Sequence, residues 1–272
     1  MAVEHPQGTS GETVLYRLEA GVALITLNRP ERRNALTADM DTRLREYVRQ
    51  ADADPRCKVI GITGAGQGFC SGADLAGLPP AAQALPYALQ PQRLADFRFG
   101  YLIEAGKPVV ALLNGAAVGV GLVLASFCDI RLATPEAKLG FTYSRVGLVA
   151  EYGIAGWLPH LVGAGAAREL LLSGRLFAAR EGQRLGLIDQ LYEADDFQPQ
   201  AQRYLRDLAE QCSPRSLRVI KHQCWQALQH DLLRTIVDSD QALQAARRSA
   251  DHQEGLAAFR EKRAPRFPGS ES

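Results

Sequence analysis

Two glycine-rich runs hold the residues best placed to do chemistry. GAGQGFCSGAD (Gly64–Asp74) follows the apolar run Val59–Thr63, and NGAAVGVG (Asn114–Gly121) follows Val109–Leu113. Each reads as a strand that empties into a turn and then a helix. The first amides of a helix have no partner within it and carry the positive end of its dipole. Two such turns converging on one point would make an oxyanion hole, where losing a donor costs roughly 10²–10³ in rate. The alternative for each loop is that its glycines only permit tight turns and close packing. Composition of the loops leaves both readings open.

Other chemistries are excluded by spacing. Gly64, Gly66 and Gly68 give G-x-G-x-G, and neither this loop nor Gly119/Gly121 supplies the G-x-G-x-x-G of a dinucleotide site. No G-K-[ST] marks a P-loop. Ser71 lies in G-F-C-S-G, which is not a G-x-S-x-G elbow. The five histidines are dispersed, no H-E-x-x-H occurs, and Cys57, Cys70, Cys128, Cys212 and Cys224 form no C-x-x-C pair. No metal site is expected, and scattered thiols point to a reducing compartment.

The elements that must carry these loops can be read from periodicity. Val14–Leu18 and Val22–Asn28 predict paired strands around Gly21. Leu36, Met40, Leu44 and Val48 recur at helical spacing beside Thr37, a suitable N-cap. Residues 75–106 carry Pro79, Pro80, Pro86 and Pro91 before a helix through Phe97 and Leu102, a pattern of a lid or pocket wall. Val109–Leu113 predicts a strand, Leu122–Phe127 a helix and Asp129–Ala133 another strand. Strand, glycine loop and helix occurring twice predict an α/β fold with a repeated core. Residues 164–264 read as helical apart from Leu187–Tyr192. Arg203–Ala209, Leu217–Leu228 and Leu232–Ala246 each show an apolar stripe. A core over 1–195 and a helical region over 196–272 follow.

The 272 residues are 46% hydrophobic and 22% charged, with Lys+Arg 31 against Asp+Glu 30 and a net charge of +1. This is a globular composition, and no net field draws the chain to nucleic acid or an anionic membrane. Val109–Phe127 is uncharged, but Asn114 and its glycines break it into strand, turn and helix rather than a membrane span. MAVEHPQGTSGETVLY has neither a basic flank nor an apolar h-region, so no signal peptide is expected and the location is expected to be cytoplasmic.

LNRPERRNAL (Leu27–Leu36), GAGQGFCSGADL (Gly64–Leu75) and KPVVALLNGAAVGVGLVLASFCDIRLA (Lys107–Ala133) resemble the crotonase, or enoyl-CoA hydratase/isomerase, superfamily. SPRSLRVIK (Ser213–Lys221), SAD (Ser249–Asp251) and EGLAAFREKRAPRFPG (Glu254–Gly269) extend the similarity through the tail. The resemblance implies a spiral of ββα repeats with a helical C-terminal region that builds homotrimers or dimers of trimers. It implies an acyl-coenzyme A thioester as ligand, in fatty acid metabolism, with coenzyme A as part of the substrate and no tightly bound cofactor. Two backbone amides would hold the thioester carbonyl, and the matching positions are Ser71 and Val120. Arg32, Arg33 and Ala35, with the backbone of Gly72, Ala73 and Asp74, would meet adenine and phosphates; the Asp74 side chain reads as structural, bonding N–H groups in its turn. Phe259 and Lys262 would cover the coenzyme.

The sequence also departs from the family. Hydratases of this family use two glutamates, and this chain has Val123 and Tyr143 at those positions. Valine moves no proton, and a tyrosine near its ordinary pKa of about 10 is a poor base. Glu151, eight residues past Tyr143, matches an acidic position beside the substrate α-carbon in some isomerases and dehalogenases of the superfamily. Its apolar surroundings predict a raised pKa, suited to acid–base work. The expected reaction is double-bond isomerisation of an enoyl-CoA through Glu151. The alternatives are hydration by Glu151 with Tyr143 placing water, another crotonase reaction such as thioester hydrolysis, or coenzyme A binding without catalysis. Leu85, Tyr87, Leu89, Phe97, Phe99 and Tyr101 suggest room for a medium or branched acyl chain.

Overall fold

The computed structural model describes residues 12–74, 97–146, 148–228, 250–261, 263 and 266–268. Its first elements form a hairpin: β1 (Val14–Glu19) pairs antiparallel with β2 (Val22–Leu27) around Ala20 and Gly21, both at positive φ. Helix α1 (Ala38–Ala53) starts where Thr37 predicts, the Thr37 hydroxyl accepting the Met40 amide at 3.2 Å. It buries Met40, Leu44, Val48 and Ala51 along one stripe. The strands β3 (Val59–Gly64) and β4 (Gly68–Cys70) follow, then α2 (Gly100–Glu104), β5 (Val109–Leu113), β6 (Ala116–Val118) and α3 (Val120–Ser126). Next come β7 (Ile130–Ala133), β8 (Lys138–Gly140), a 3-10 turn over Thr142–Val146, α4 (Ile154–Val162), α5 (Ala164–Ser173), β9 (Phe177–Ala178), α6 (Ala179–Leu185) and β10 (Gln190–Leu191). Three helices complete the described part: α7 (Phe197–Gln211), α8 (Pro214–Ala227) and α9 (Ala250–Glu261).

Two sheets result. The larger runs β1-β2-β3-β5-β7-β10 and is parallel from β2 onward; the smaller runs β4-β6-β8-β9, with β4, β6 and β8 parallel. Strands β3 and β5 are buried along their whole length, which is why they read as unbroken apolar runs. On one side of the larger sheet α1 and α3 join the main core. On the other, Phe197, Ala201, Leu205 and Ala209 of α7 pack on Val59, Val110 and Leu112.

The uncharged stretch Val109–Phe127 becomes β5, β6 and α3, and no helix among the described residues is long and apolar enough to cross a membrane. The predicted helix Leu232–Ala246, and Leu85, Tyr87 and Leu89 of the expected acyl wall, lie outside the described residues. The three-residue strands β4 and β6 escape sequence analysis because they are folded into the glycine loops themselves.

Candidate active site

The parallel register of the smaller sheet gathers three turns. Cys70 lies beside Ala117, and Val118 beside Gly140, so β4, β6 and β8 end together. Their exits are Ser71–Asp74, Gly119–Val120 and Phe141–Tyr143. A crevice beyond the carboxyl ends of parallel strands is where open α/β sheets bind ligands. Close approach of the first two turns depends on glycine. Gly119 has φ 55° and ψ −129°, and a Cβ on Gly121 would lie 2.5 Å from the Cys70 carbonyl oxygen.

The second turn carries Val120, one of the two amides expected from the sequence. Val120 is the first residue of α3, and its N–H has no acceptor among the described residues. The first turn requires a correction. The Ser71 amide donates to the Arg33 carbonyl at 3.0 Å, and the Ser71 side chain is exposed, so this N–H is already used. Two residues on, Ala73 forms a parallel bridge with Leu36. In that bridge Leu36 donates to the Gly72 carbonyl at 2.8 Å and accepts the Asp74 amide at 2.9 Å. The Ala73 N–H therefore points away from Leu36 and has no acceptor among the described residues.

The same bridge brings the expected coenzyme residues together. Arg32–Ala35 and Gly72–Asp74 flank it, and the Arg32 and Arg33 side chains are exposed. Asn34, wholly buried in left-handed backbone at φ 56°, fixes this turn: its amide nitrogen donates to the Ala65 and Gly68 carbonyls at 2.9 and 2.8 Å, and its oxygen accepts the Arg29 amide at 2.9 Å. The Asp74 carboxylate is held by the Arg29 guanidinium at 2.8 Å, and Arg29 also donates to the Ala35 carbonyl. Phe259 belongs to α9, and Lys262 lies outside the described residues.

Glu151 lies just before α4. Tyr152 and Gly153 follow it in left-handed backbone at φ 56° and 71°, and the Glu151 carbonyl accepts the Ile154 amide at 3.1 Å as α4 begins. Its half-buried carboxyl is pushed up by desolvation, against the opposing effects of the Arg98 charge and a hydrogen bond from Tyr152. Tyr143 is buried, and its hydroxyl has no hydrogen-bond partner among the described residues. Burial, and next the negative charge of Glu151, raise its pKa well above that of an ordinary phenol, so it stays protonated. Arg98 acts electrostatically on Glu151, Tyr143 and the Cys70 thiol alike. Phe99, Phe127 and Trp157 line up behind Tyr152, with neighbouring ring centres 5.7, 6.2 and 6.1 Å apart in turn. Tyr101 points instead into the α1 side, under the Arg45 guanidinium.

Sequence analysis named Ala73 only as a coenzyme contact and passed over Asn34, Arg98 and Asp41. A signal existed for Asp41, a carboxylate inside the buried stripe of α1, but Arg98 has none in its local sequence.

Residues 17–270 match the family model for enoyl-CoA hydratase/isomerase. The chain belongs to the enoyl-CoA hydratase/isomerase family. Members act on acyl-CoA thioesters, and this chain is an enzyme of the crotonase superfamily. It is 34% identical over 261 residues to 1,2-epoxyphenylacetyl-CoA isomerase of Escherichia coli K12, covering 95% of this chain and 99% of that one. It is 32% identical over 252 residues to (E)-benzylidenesuccinyl-CoA hydratase of Thauera aromatica, covering 92% and 96%. The crystal structure of an enoyl-CoA hydratase subunit from Geobacillus kaustophilus HTA426 superposes with a TM-score of 0.85 at 32% identity, over 95% of this chain and 99% of the other. The α/β fold is therefore that of the crotonases. At the two positions where sequence analysis placed the hydratase glutamates, this chain has Val123, wholly buried within α3, and the buried Tyr143.

Proposed function

We propose that the protein shifts the carbon–carbon double bond of an enoyl-CoA thioester. The amides of Ala73 and Val120 hold the thioester oxygen, and Glu151 carries the proton. From a 3-enoyl thioester, the Glu151 carboxylate takes a proton from C2. The C2–H electron pair enters the π system, and the negative charge moves onto the oxygen held by the two amides. The protonated Glu151 then returns its proton at C4, and the electrons settle as a C2–C3 double bond. One proton and one π pair move, so no co-reactant is consumed. Coenzyme A enters as part of the substrate, its phosphates meeting Arg32 and Arg33, with Phe259 and Lys262 over it in a trimer or dimer of trimers.

The observation that carries this reading is a desolvated carboxyl, Glu151, whose charge reaches Tyr143 at the exit of β8, while the neighbouring exits of β4 and β6 carry the open amides of Ala73 and Val120 and Val123 stands at the first glutamate position. A carboxyl with a raised pKa is better matched than an ordinary one to both taking and giving a proton. An E. coli relative named as an isomerase agrees with that economy. The unpartnered Tyr143 hydroxyl favours a second reading, in which Tyr143 and Glu151 place a water for hydration. The experiment is product analysis by mass spectrometry and NMR on a panel of 2-enoyl and 3-enoyl thioesters. Isomerisation leaves mass unchanged and moves the alkene signals; products heavier by one water would replace this reading with the second, and released coenzyme A would replace both with hydrolysis.

A further inference from the structure

Behind Glu151 lies a charged pair outside the set of groups used so far. The Arg98 Nε is 3.2 Å from each oxygen of Asp41, and the two side chains are only 11% and 8% exposed. Arg45, one turn beyond Asp41 on α1, donates to the Arg98 carbonyl at 2.9 Å. Helix α1 thus grips both the side chain and the main chain of one residue. On its other side, the Arg98 guanidinium carbon lies 4.8 Å from the centre of the Tyr152 ring and 5.3 Å from that of Phe99. Tyr152 follows Glu151 directly, in a left-handed conformation that a non-glycine residue keeps only when its surroundings hold it there. A cation over its ring supplies such a hold.

We propose that Arg98, anchored by Asp41, is a positioning residue for Glu151: it clamps the Tyr152 ring and thereby holds the Glu151 carboxyl in place for the substrate, with its own charge close by. The assignment rests on Glu151 being the acid–base group. A carboxyl desolvated by aromatic rings alone would hold its proton and fail as a base. A bare cation beside it would instead lock it in a salt bridge. Asp41 resolves the conflict by sharing the Arg98 charge, so the field at Glu151 is positive but partial. The titratable and charged groups acting on Glu151 among the described residues are Arg98, Tyr152 and Tyr143, with Asp41 behind Arg98. Tyr143 stays protonated through the working range, and the Cys70 thiol that also feels Arg98 is pushed up to about 12 by burial. Arg98 and Asp41 are therefore the groups whose removal changes the field.

The test is the pH profile of kcat/KM for Arg98→Gln, Asp41→Asn, Glu151→Gln and the double variant Asp41→Asn/Arg98→Gln. The double variant leaves no unpaired buried charge, so it keeps the fold when the single change at Arg98 strains it. The expected result is an acid limb moved to higher pH by about one unit in both variants lacking Arg98, with kcat reduced more than KM is changed. Asp41→Asn moves the limb the other way, because the Arg98 charge is then unopposed. A limb that stays in place in the folded double variant, or moves in the same direction for Asp41→Asn as for Arg98→Gln, overturns the proposal. Wild-type turnover by Glu151→Gln overturns the role of Glu151 and this proposal with it. An inactive Glu151→Gln beside an unmoved limb removes Arg98 alone.

Discussion

Leu36 and Ala73 are joined by one parallel bridge, in which Leu36 bonds the carbonyl of Gly72 and the amide of Asp74. Pairing of this kind uses the neighbours of Ala73 and turns its own amide to the other side. Ser71, whose amide is bonded to Arg33, is turned the opposite way. Both residues belong to the S-G-A-D run, and two positions of chain decide which amide faces the crevice.

An amide-to-ester replacement at Ala73, introduced by semisynthesis, is expected to lower kcat/KM by roughly 10²–10³. The same replacement at Ser71 removes an internal hydrogen bond and shows mainly as a loss of about 1 kcal/mol in stability. Steady-state kinetics and denaturant midpoints on the two proteins separate the effects. Equal kinetic losses at both positions would return Ser71 to the site.

The repeated strand–loop–helix pattern was legible in the sequence because Val59–Gly64 and Val109–Leu113 are buried on both faces and announce themselves as apolar runs. Thr37 was legible as a cap because its side chain acts locally. Ala73 was not, since choosing between Ser71 and Ala73 depends on a bridge to Leu36 that local composition does not record. Arg98 was hidden for a similar reason: its partners Asp41 and Tyr152 lie 57 residues before it and 54 after, and only the fold brings them together.

Tyr143→Phe removes a buried hydroxyl without a partner among the described residues. Relief of that group is expected to raise stability by about 1 kcal/mol, visible in urea unfolding. If the hydroxyl gives its proton to a bound group, kcat/KM falls about tenfold in the same variant. A stabilised protein with unchanged kinetics would leave Tyr143 as wall alone.

Glu151 carries a stability consequence with a definite sign. Its folded pKa is raised by desolvation, so the folded state favours the protonated form, and stability is lost as pH rises through that pKa. Glu151→Gln is therefore expected to melt higher than wild type at pH 7 to 8. The gain should shrink as pH falls below about 4, where the carboxyl is protonated in both states. Calorimetry across pH checks this, and a gain that grows toward acid would contradict the desolvation.

Lys221 ties α8 to the core. Its Nζ reaches the Asp129 carboxylate at 2.8 Å and the Leu102 and Lys107 carbonyls at 2.7 and 3.0 Å, with the side chain 6% exposed. Asp129 also takes the Val109 amide at 2.7 Å and the Trp225 indole N–H at 3.2 Å. Lys221→Met leaves these acceptors facing apolar surface, for an expected loss of about 3–5 kcal/mol. Turnover at temperatures where the variant is folded should match wild type, because Lys107 and Asp129 precede the starts of β5 and β7 whereas the crevice lies beyond the ends of β4, β6 and β8.

Exchange of the substrate α-proton tests the central claim most directly. With a 3-enoyl thioester in deuterated water, wild-type protein should place deuterium at the α-carbon or the γ-carbon, read by NMR, at a rate that rises as Glu151 ionises. Glu151→Gln, with its fold intact by circular dichroism, should reduce that exchange by about 10³-fold or more. Undiminished exchange in Glu151→Gln would show that another group moves the proton and would contradict the account.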